Sequence, residues 1–137
     1  MAVIEELIRL EDNGTISFGN YLMDTKKKVL DFEVDGDLYK VKTFKEITKL
    51  EKNGKMLLES VPGATIHNFN MTEKAVTFTV EGQEDLQITM ELEPNKEYRV
   101  LVEDVIVGKV NANLAGKVNF SVELKNEPLA IKIEKIN

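Results

Sequence analysis

The chain has 137 residues and a formal net charge of −6 at pH 7, with no cysteine, no tryptophan and one histidine. This length suffices for one domain with a sizeable core, and the lack of cysteine excludes disulfides and thiolate metal sites. Because an acidic surface repels phosphate, nucleic acid is not expected as a partner. No stretch reaches the length of a membrane span and no signal peptide is visible. We therefore expect no membrane insertion and a cytoplasmic location by default, with export by a route without a cleaved signal left open.

The N-terminal segment carries two competing patterns. Apolar residues recur at helical spacing over residues 3–10, which predicts a short amphipathic helix. Asn13-Gly14 between apolar segments instead predicts a type I′ hairpin, because both residues accept positive φ. Residues 3–10 and 15–18 would then be its two strands. We favour the strand for residues 3–10, and the helix stays open as the alternative.

A hairpin centred on Asp35-Gly36 is predicted from its cross-strand pairs. A two-residue turn at this position joins strands over residues 29–34 and 38–43. Three complementary pairs, one aromatic, one aliphatic and one of opposite charge, would then face each other: Phe32–Tyr39, Leu30–Val41 and Asp31–Lys40. A slip of one residue would break all three pairs, so the pattern predicts this register.

A short internal repeat links the N-terminal segment to a later one. Residues 10–15 (LEDNGT) recur as residues 50–55 (LEKNGK), which predicts a second hairpin of the same kind, although residues 44–60 also have helix propensity. Val61-Pro62-Gly63 then interrupts the pattern, since proline removes a backbone donor and glycine permits a turn. We expect an N-terminal β-hairpin unit over residues 1–60 with a C-terminal β unit over residues 61–137 packed on it, or one single domain.

The second half of the chain is a run of alternating apolar and polar residues. A period of two indicates strands with one buried face and one solvated face. The predicted strands are residues 65–70, 76–80, 86–92, 98–102, 105–110, 117–124 and 129–133, with residues 111–116 as a connection. Turn signals recur at the short spacing typical of sandwiches and barrels. The sequence therefore predicts an all-β, antiparallel β-sandwich or jelly-roll-like fold with at most one short helix.

The sequence offers few residues that could form a catalytic or metal-binding site. His67 is the only histidine, so a multi-histidine metal site is excluded, and a strand histidine is a better interpretation than a catalytic base. Residues 35–37 and 81–85 are acidic but lack the spacing of a dedicated calcium loop, and hairpin turns explain both better. Carboxylates are numerous, but their separation in a glycosidase-like pair cannot be read from the sequence. No catalytic residue, metal or cofactor is predicted.

Two resemblances add to this interpretation. The segments IEELIR, NGTISFGNY, DGDLYKVKTFKEITKLEKNGK and LLESVPG, with the closing EYRVLVED and NLAGKVNFSVEL, resemble a group of small proteins of anaerobic Gram-positive bacteria that often carry the label endosialidase. The closing stretch is separately similar to the last strands of immunoglobulin-like modules appended to carbohydrate-active enzymes. The second resemblance implies an immunoglobulin-like unit over residues 61–137.

The endosialidase label can be compared with the residues present. Sialidases bind the substrate carboxylate with several arginines, because a guanidinium fork matches a carboxylate. This chain offers only Arg9 and Arg99, and no catalytic residue matches a sialidase motif. We therefore carry over no catalytic site and expect this polypeptide not to act as an enzyme.

The leading functional hypothesis is a non-catalytic structural or assembly module that acts through homo-oligomeric contacts. Strand-rich ends, over residues 3–10 and 129–136, suggest completion of a neighbouring copy's sheet, with filament-like assembly as one form. The alternative is a carbohydrate-binding or accessory module, for which Tyr21, Arg9 and Arg99 are the candidate ligand-binding residues. A hydrolase acting on acidic glycans is the least favoured hypothesis, and it requires both arginines in one cleft.

Overall fold

The structure, a computed structural model, describes residues 2–136 and contains thirteen β-strands and no helix within that range. In chain order the strands are β1 (Ile8–Leu10), β2 (Ile16–Phe18), β3 (Lys27–Val34), β4 (Asp37–Phe44), β5 (Ile47–Lys52), β6 (Lys55–Val61), β7 (Thr65–Met71), β8 (Ala75–Glu81), β9 (Leu86–Glu91), β10 (Glu97–Val102), β11 (Val105–Asn111), β12 (Lys117–Val122) and β13 (Leu129–Lys135). Within the described range there is accordingly no helix that is long and apolar enough to span a bilayer.

The strands form two antiparallel sheets in a sandwich-like arrangement. The seven-stranded sheet has the order β1-β2-β7-β8-β13-β10-β11, and the six-stranded sheet has the order β12-β9-β6-β5-β4-β3. Every pairing between neighbouring strands is antiparallel. The predicted all-β, antiparallel, sandwich-like class is therefore confirmed.

The core follows from the period-two pattern of the strands. On β12, for example, Val118 and Phe120 are buried, whereas Lys117 and Asn119, which alternate with them, are exposed. Burial of each such apolar side chain contributes about 1.5–3 kcal/mol to folding. Three rings continue this core across β2, β7 and β8: the centroids of Phe18 and Phe69 lie 6.0 Å apart, and those of Phe69 and Phe78 lie 6.1 Å apart.

Both sheets contain strands from both sides of residue 61. In the seven-stranded sheet β2 pairs with β7, and in the six-stranded sheet β6 pairs with β9. The buried apolar residues of the two halves also form one contiguous cluster. The N-terminal hairpins and the C-terminal strands thus share their sheets and their core.

The Asp35-Gly36 hairpin forms as predicted at its tip and differs from the prediction beyond it. Both turn residues have positive φ, 51° and 86°, as a type I′ turn requires, and Phe32 pairs with Tyr39. The predicted pairs Leu30–Val41 and Asp31–Lys40 are wrong, because a β-bulge intervenes and Val29 pairs with Val41 instead. Asp31 has a positive φ of 54° at this bulge, so two residues of β3 lie opposite one residue of β4.

The two Asn-Gly sequences form hairpins with different loops. Asn53 and Gly54 both have positive φ, 51° and 82°, and make a two-residue connection between β5 and β6. The predicted type I′ turn at Asn13-Gly14 is wrong: Leu10 pairs with Ile16 across a longer loop, and only the glycine of that pair has positive φ. The Asn13 side chain instead accepts hydrogen bonds from the backbone N and the hydroxyl of Thr15, at 3.1 and 2.6 Å. Such a side-chain turn competes with the type I′ geometry.

The terminal segments pack onto the chain's own core. Within residues 3–10 only β1 is a strand, so the predicted strand is shorter than expected and the predicted helix is absent. Ile4 is fully buried and its backbone N donates to Gly19 O at 3.1 Å. At the other end, β13 lies between β8 and β10 in the seven-stranded sheet. With two neighbours already, β13 has no unpaired edge to offer a second copy.

Candidate functional site

Arg9 lies on β1 and is held by carboxylates of its own hairpin. Its Nε donates to Glu11 Oε2 at 3.1 Å, and its Nη1 lies 3.7 Å from Glu6 Oε1. Glu11 Oε2 also accepts a hydrogen bond from the hydroxyl of the buried Ser17 at 2.5 Å. The Ser17 hydrogen bond, with help from Arg9, lowers the pKa of Glu11 below its ordinary value of 4.5. The guanidinium is thus one part of a structural network that joins β1 to β2.

Arg99 lies on β10, far from Arg9 in the same sheet. Its Nη1 is 3.6 Å from Glu134 Oε1 on the neighbouring β13. Five inter-strand steps separate β1 from β10, which at about 4.8 Å each amounts to roughly 24 Å. The two arginines therefore do not converge on one cleft, and the geometry required for a hydrolase that grips an acidic glycan with both is not present.

Tyr21 lies in the loop between β2 and β3, at the edge of an open cleft of about 440 Å³. The other lining groups are mostly polar and include Glu81, Gln83, Asn126 and Glu127. Partial burial, and to a smaller extent the nearby Glu81 carboxylate, raise the pKa of the Tyr21 hydroxyl. The phenol therefore stays protonated, and it presents one aromatic face beside hydrogen-bonding side chains.

The conformation of this loop depends on Gly19. Its φ is +101°, and a Cβ at this position would lie 2.4 Å from the carbonyl oxygen of Ala64. A second tie comes from Asn20, whose backbone N donates to Thr43 Oγ1 at 2.9 Å. Only glycine accepts both the backbone conformation and the close contact, so Gly19 determines where Tyr21 lies.

His67 and Glu81 form a buried polar pair beneath this cleft. His67 is 5% exposed and Glu81 is 8% exposed, and His67 Nε2 lies 2.9 Å from Glu81 Oε1. The pair joins β7 to β8, and buried polar groups that find a partner in this way are the rule in folded proteins. The single histidine therefore has a hydrogen-bonding partner in the interior, as a strand histidine requires.

A cleft of about 600 Å³ lies where β6, β9, β10 and β13 meet the turn between β7 and β8. Two of its lysines are paired with carboxylates: Lys55 Nζ lies 3.7 Å from Glu91 Oε1, and Lys135 Nζ lies 2.9 Å from Glu93 Oε2. Glu73 and Lys74 also line it. The hydrogen bond from Lys135 lowers the pKa of Glu93, whereas a glycosidase acid needs a raised carboxyl pKa. Glu93 is therefore not suited to act as the acid of a glycosidase.

The four outer strands of the two sheets are β1, β11, β3 and β12. Each outer strand presents backbone donors and acceptors on one side, and such edges are the places where another strand can add. β1 has only three residues. The solvated side chains of β12 are polar, and Asn119 and Ser121 on it hydrogen-bond to Gln87 of β9. Leu10 is a single exposed apolar side chain on β1, and the exposed side chains of β12 are polar, so neither of these two edges presents a run of exposed apolar residues.

β11 differs from the other outer strands. Its first three residues are apolar and consecutive, and Val105, Ile106 and Val107 are 62, 56 and 59% exposed. The pairing with β10 shifts here, with Gly108 opposite Val100 and Ile106 opposite Leu101, so Val107 is an extra residue in a bulge. A seven-residue outer strand with three exposed β-branched residues in sequence is an exposed apolar edge.

A second unusual surface lies on the six-stranded sheet. Lys28, Lys42 and Lys49 are directly opposite one another on β3, β4 and β5. Partial burial, together with Lys26, Lys49 and Lys28, lowers the pKa of Lys42. Like charges that face each other across strands destabilise a sheet. This lysine ladder is therefore a local concentration of positive charge on an acidic protein.

Among residues 2–136 no group of three or more histidine, aspartate or glutamate side chains is placed to hold a metal ion. Comparisons of the chain with known protein families, with curated proteins and with solved structures found no match. The resemblance to endosialidase-labelled proteins and to immunoglobulin-like modules therefore stays a prediction from the sequence.

The exposed edge on β11 was missed by the sequence reasoning, which treated residues 105–110 as an ordinary return strand. One signal was available. The neighbouring strands alternate apolar and polar residues, whereas residues 105–107 (VIV) do not. A continuous apolar run indicates either a strand buried on both faces or an exposed apolar edge. Only the sheet order could decide between the two, because it places β11 at the outside.

Proposed function

We propose that the protein is a non-catalytic structural or assembly module that acts through homo-oligomeric contacts at the β11 edge. The observation that carries this proposal is the run of three consecutive exposed apolar residues, Val105, Ile106 and Val107, on an outer strand. Soluble proteins usually protect such edges with charge, proline, a bulge or a covering segment. β11 has a bulge, but the bulge residue is the apolar Val107, and Lys109 is the one charged residue of the strand. An apolar edge with so little charge is typical of a strand that pairs with another chain.

The chemistry of the rest of the surface supports the same proposal. The arginines are separated and paired with carboxylates, and the histidine is bound to Glu81 in the interior. In the 600 Å³ cleft, Lys55 is paired with Glu91 and Lys135 with Glu93. In the described part of the chain, no group of three or more histidine, aspartate or glutamate side chains is placed to hold a metal ion. Binding between chains needs none of these groups.

The proposal is tested by light scattering over a concentration series from roughly 1 µM to 1 mM, the range in which an interface of one strand is expected to associate. Wild type is compared with Ile106→Lys and with Leu30→Lys, a matched control on the other long outer strand, where Leu30 is 59% exposed. We expect the mass of wild type and of Leu30→Lys to rise with concentration, and that of Ile106→Lys to stay monomeric.

Monomeric wild type over the whole series would contradict the proposal, as would association that Ile106→Lys leaves unchanged. Thermal melts monitored by circular dichroism serve as the folding control. Both substitutions replace exposed side chains, so we expect unfolding free energies within about 0.5 kcal/mol of wild type.

A second candidate function, carbohydrate binding, is favoured by the cleft beside Tyr21. One aromatic face next to amide and carboxylate side chains is a combination that suits a sugar ring with its hydroxyl groups. Because Glu81 and Glu127 line the cleft, neutral oligosaccharides fit it better than acidic ones. We would titrate neutral and sialylated oligosaccharides against wild type and Tyr21→Ala, with NMR shifts as the readout. Shifts with neutral sugars that Tyr21→Ala abolishes are expected, and their absence would remove this candidate.

A further inference from the structure

We infer that the partner of β11 is β11 of a second copy, aligned antiparallel, so that two seven-stranded sheets join around a two-fold axis. This inference rests on the proposed function and specifies its partner and geometry. The result is a closed dimer rather than a filament, because both copies use the same edge, β11, in an isologous contact.

The charge pattern of the segment is the first argument for self-pairing. Asp104 precedes the three apolar residues of β11, and Lys109 follows them after Gly108. Both charged side chains are exposed, and within residues 2–136 neither forms an ion pair. Antiparallel alignment of two such segments brings the acidic end of one to the basic end of the other, whereas parallel alignment brings like charges together.

The register follows from these charges. Asp104 belongs to the turn before β11 and has a φ of 63°, so it can meet Lys109 of the second copy only at the end of the paired segment. In an antiparallel pair the numbers of opposed residues have a constant sum, so the register that brings Asp104 beside Lys109 of the second copy places Ile106 opposite Val107 of the second copy. Within each copy, Ile106 and Lys109 lie opposite Leu101 and Arg99 of β10. These are the positions on β10 that alternate with the buried Tyr98 and Val100, so the apolar and ionic contacts fall on the outer face of the joined sheet.

Gly108 supplies an independent argument. A Cβ built on Gly108 would meet no atom within 4 Å, and Gly108 has no positive φ. No contact within the chain therefore requires glycine here, although glycine in a strand interior is less favourable than alanine. Glycine in a strand often marks a bulge or a point where another backbone approaches closely, and Gly108 adjoins the bulge at Val107. In this register Gly108 lies opposite Val105 of the second copy, beside the bulge at Val107.

The test is a charge exchange. Asp104→Lys places two lysines opposite each other at both symmetric contacts, and Lys109→Asp places two aspartates opposite each other. We expect each variant alone to dimerise about tenfold more weakly than wild type. An equimolar mixture should form a heterodimer with about the affinity of wild type, because both contacts then join opposite charges. The readout is sedimentation velocity with one variant fluorescently labelled.

The matched control is Lys27→Asp, which changes the net charge as Lys109→Asp does but lies on β3; it should leave dimerisation unchanged. If each single variant dimerises weakly and the mixture does not regain the affinity of wild type, the two-fold pairing is wrong. Loss of association in Ile106→Lys would still support assembly at β11 in that case. Single variants that dimerise like wild type would also overturn this register. Association that is unchanged by Ile106→Lys would instead contradict the proposed function itself.

Discussion

The two longest outer strands, β3 and β11, show how one feature of sheet geometry can have opposite consequences. Each strand is at the outside of its sheet and each carries a bulge. The bulge of β3 contains Leu30 and the charged Asp31, whereas the extra residue in the bulge of β11 is Val107. Charge at the bulge of an outer strand discourages a second strand from adding, and an apolar side chain there does not. The side chain at the bulge, rather than the bulge itself, distinguishes the protected edge from the exposed one.

Charges elsewhere on the two strands strengthen this contrast. β3 begins with Lys27 and Lys28 and carries Glu33 near its end, so its exposed Leu30 lies among charged residues. β11 carries only Lys109 within the strand. We therefore expect association to increase when charges are removed from the β3 edge and to decrease when a charge is added to the β11 edge.

The largest effect is expected when the protection of β3 is removed. Asp31→Asn combined with Lys28→Val would remove two charges near the exposed Leu30, and asparagine tolerates the positive φ of 54° at residue 31. Each copy would then have two edges open to pairing, so dimers would link into polymers. We expect light scattering to show masses at least about tenfold above the dimer, since two edges per copy allow open-ended growth. Addition of Ile106→Lys to this double variant should restore small assemblies, and an unchanged mass of the double variant would contradict the contrast.

A smaller effect is expected when the exposed edge of β11 is made less apolar. Val107→Ala removes two methyl groups that are exposed in the monomer and covered in the assembly. At about 25 cal/mol per Å² of apolar surface, we expect the dissociation constant to rise several-fold. The unfolding free energy should change by less than about 0.5 kcal/mol. A loss of stability with unchanged association, measured by sedimentation and chemical denaturation, would show that Val107 acts within the monomer.

The contact between Asp37, at the start of β4, and Asn53, in the turn between β5 and β6, should make the stability of the protein depend on pH in acid. A hydrogen bond from Asn53, and to a smaller extent Lys52, lower the pKa of Asp37 below its ordinary value of 3.8. A folded-state pKa below the unfolded value gives stability that is present above pH about 4 and lost as the pH falls through the folded pKa. Asp37→Asn should flatten this part of the stability–pH curve, measured by thermal melts from pH 2 to 6. If the stability of Asp37→Asn falls with pH as steeply as that of wild type, Asp37 is not the group responsible.

The smallest effect concerns the lysine ladder beside β3. Lys42→Glu replaces the middle of three opposed lysines, Lys28, Lys42 and Lys49, with an opposite charge. We expect the unfolding free energy to rise by about 0.5 kcal/mol at low salt and the gain to shrink at 1 M salt, because screening weakens such pairs. Lys27→Glu, outside the ladder, is the control. A gain that salt does not alter would show that the effect is not electrostatic.

Strand positions could be predicted from the sequence because they depend on local alternation. Val76, Phe78 and Val80 predict β8, and the structure places their side chains in the core. The register of the Asp35-Gly36 hairpin was predicted only as far as the bulge, since a bulge depends on the whole sheet's twist. The loop at Asn13-Gly14 differs from the predicted turn because the Asn13 side chain bonds to Thr15.

The candidate surface could not be predicted in the same way. Whether Val105, Ile106 and Val107 are buried depends on the strand order, which brings β13 from the end of the chain between β8 and β10 and leaves β11 outside. Such long-range pairings are not encoded in the local pattern of the strands. The separation of Arg9 from Arg99 has the same origin, because it is a property of the sheet order alone.

The role of β11 is tested most directly by amide hydrogen exchange at two protein concentrations, one at which the chain is monomeric and one at which it associates. We expect the backbone amides of β11 that are not bonded to β10 to exchange rapidly in the dilute sample and to become protected in the concentrated one, while exchange in β3 stays unchanged. Exchange in β11 that is independent of concentration, or new protection at β3 instead, would contradict the claim that β11 is the assembly edge.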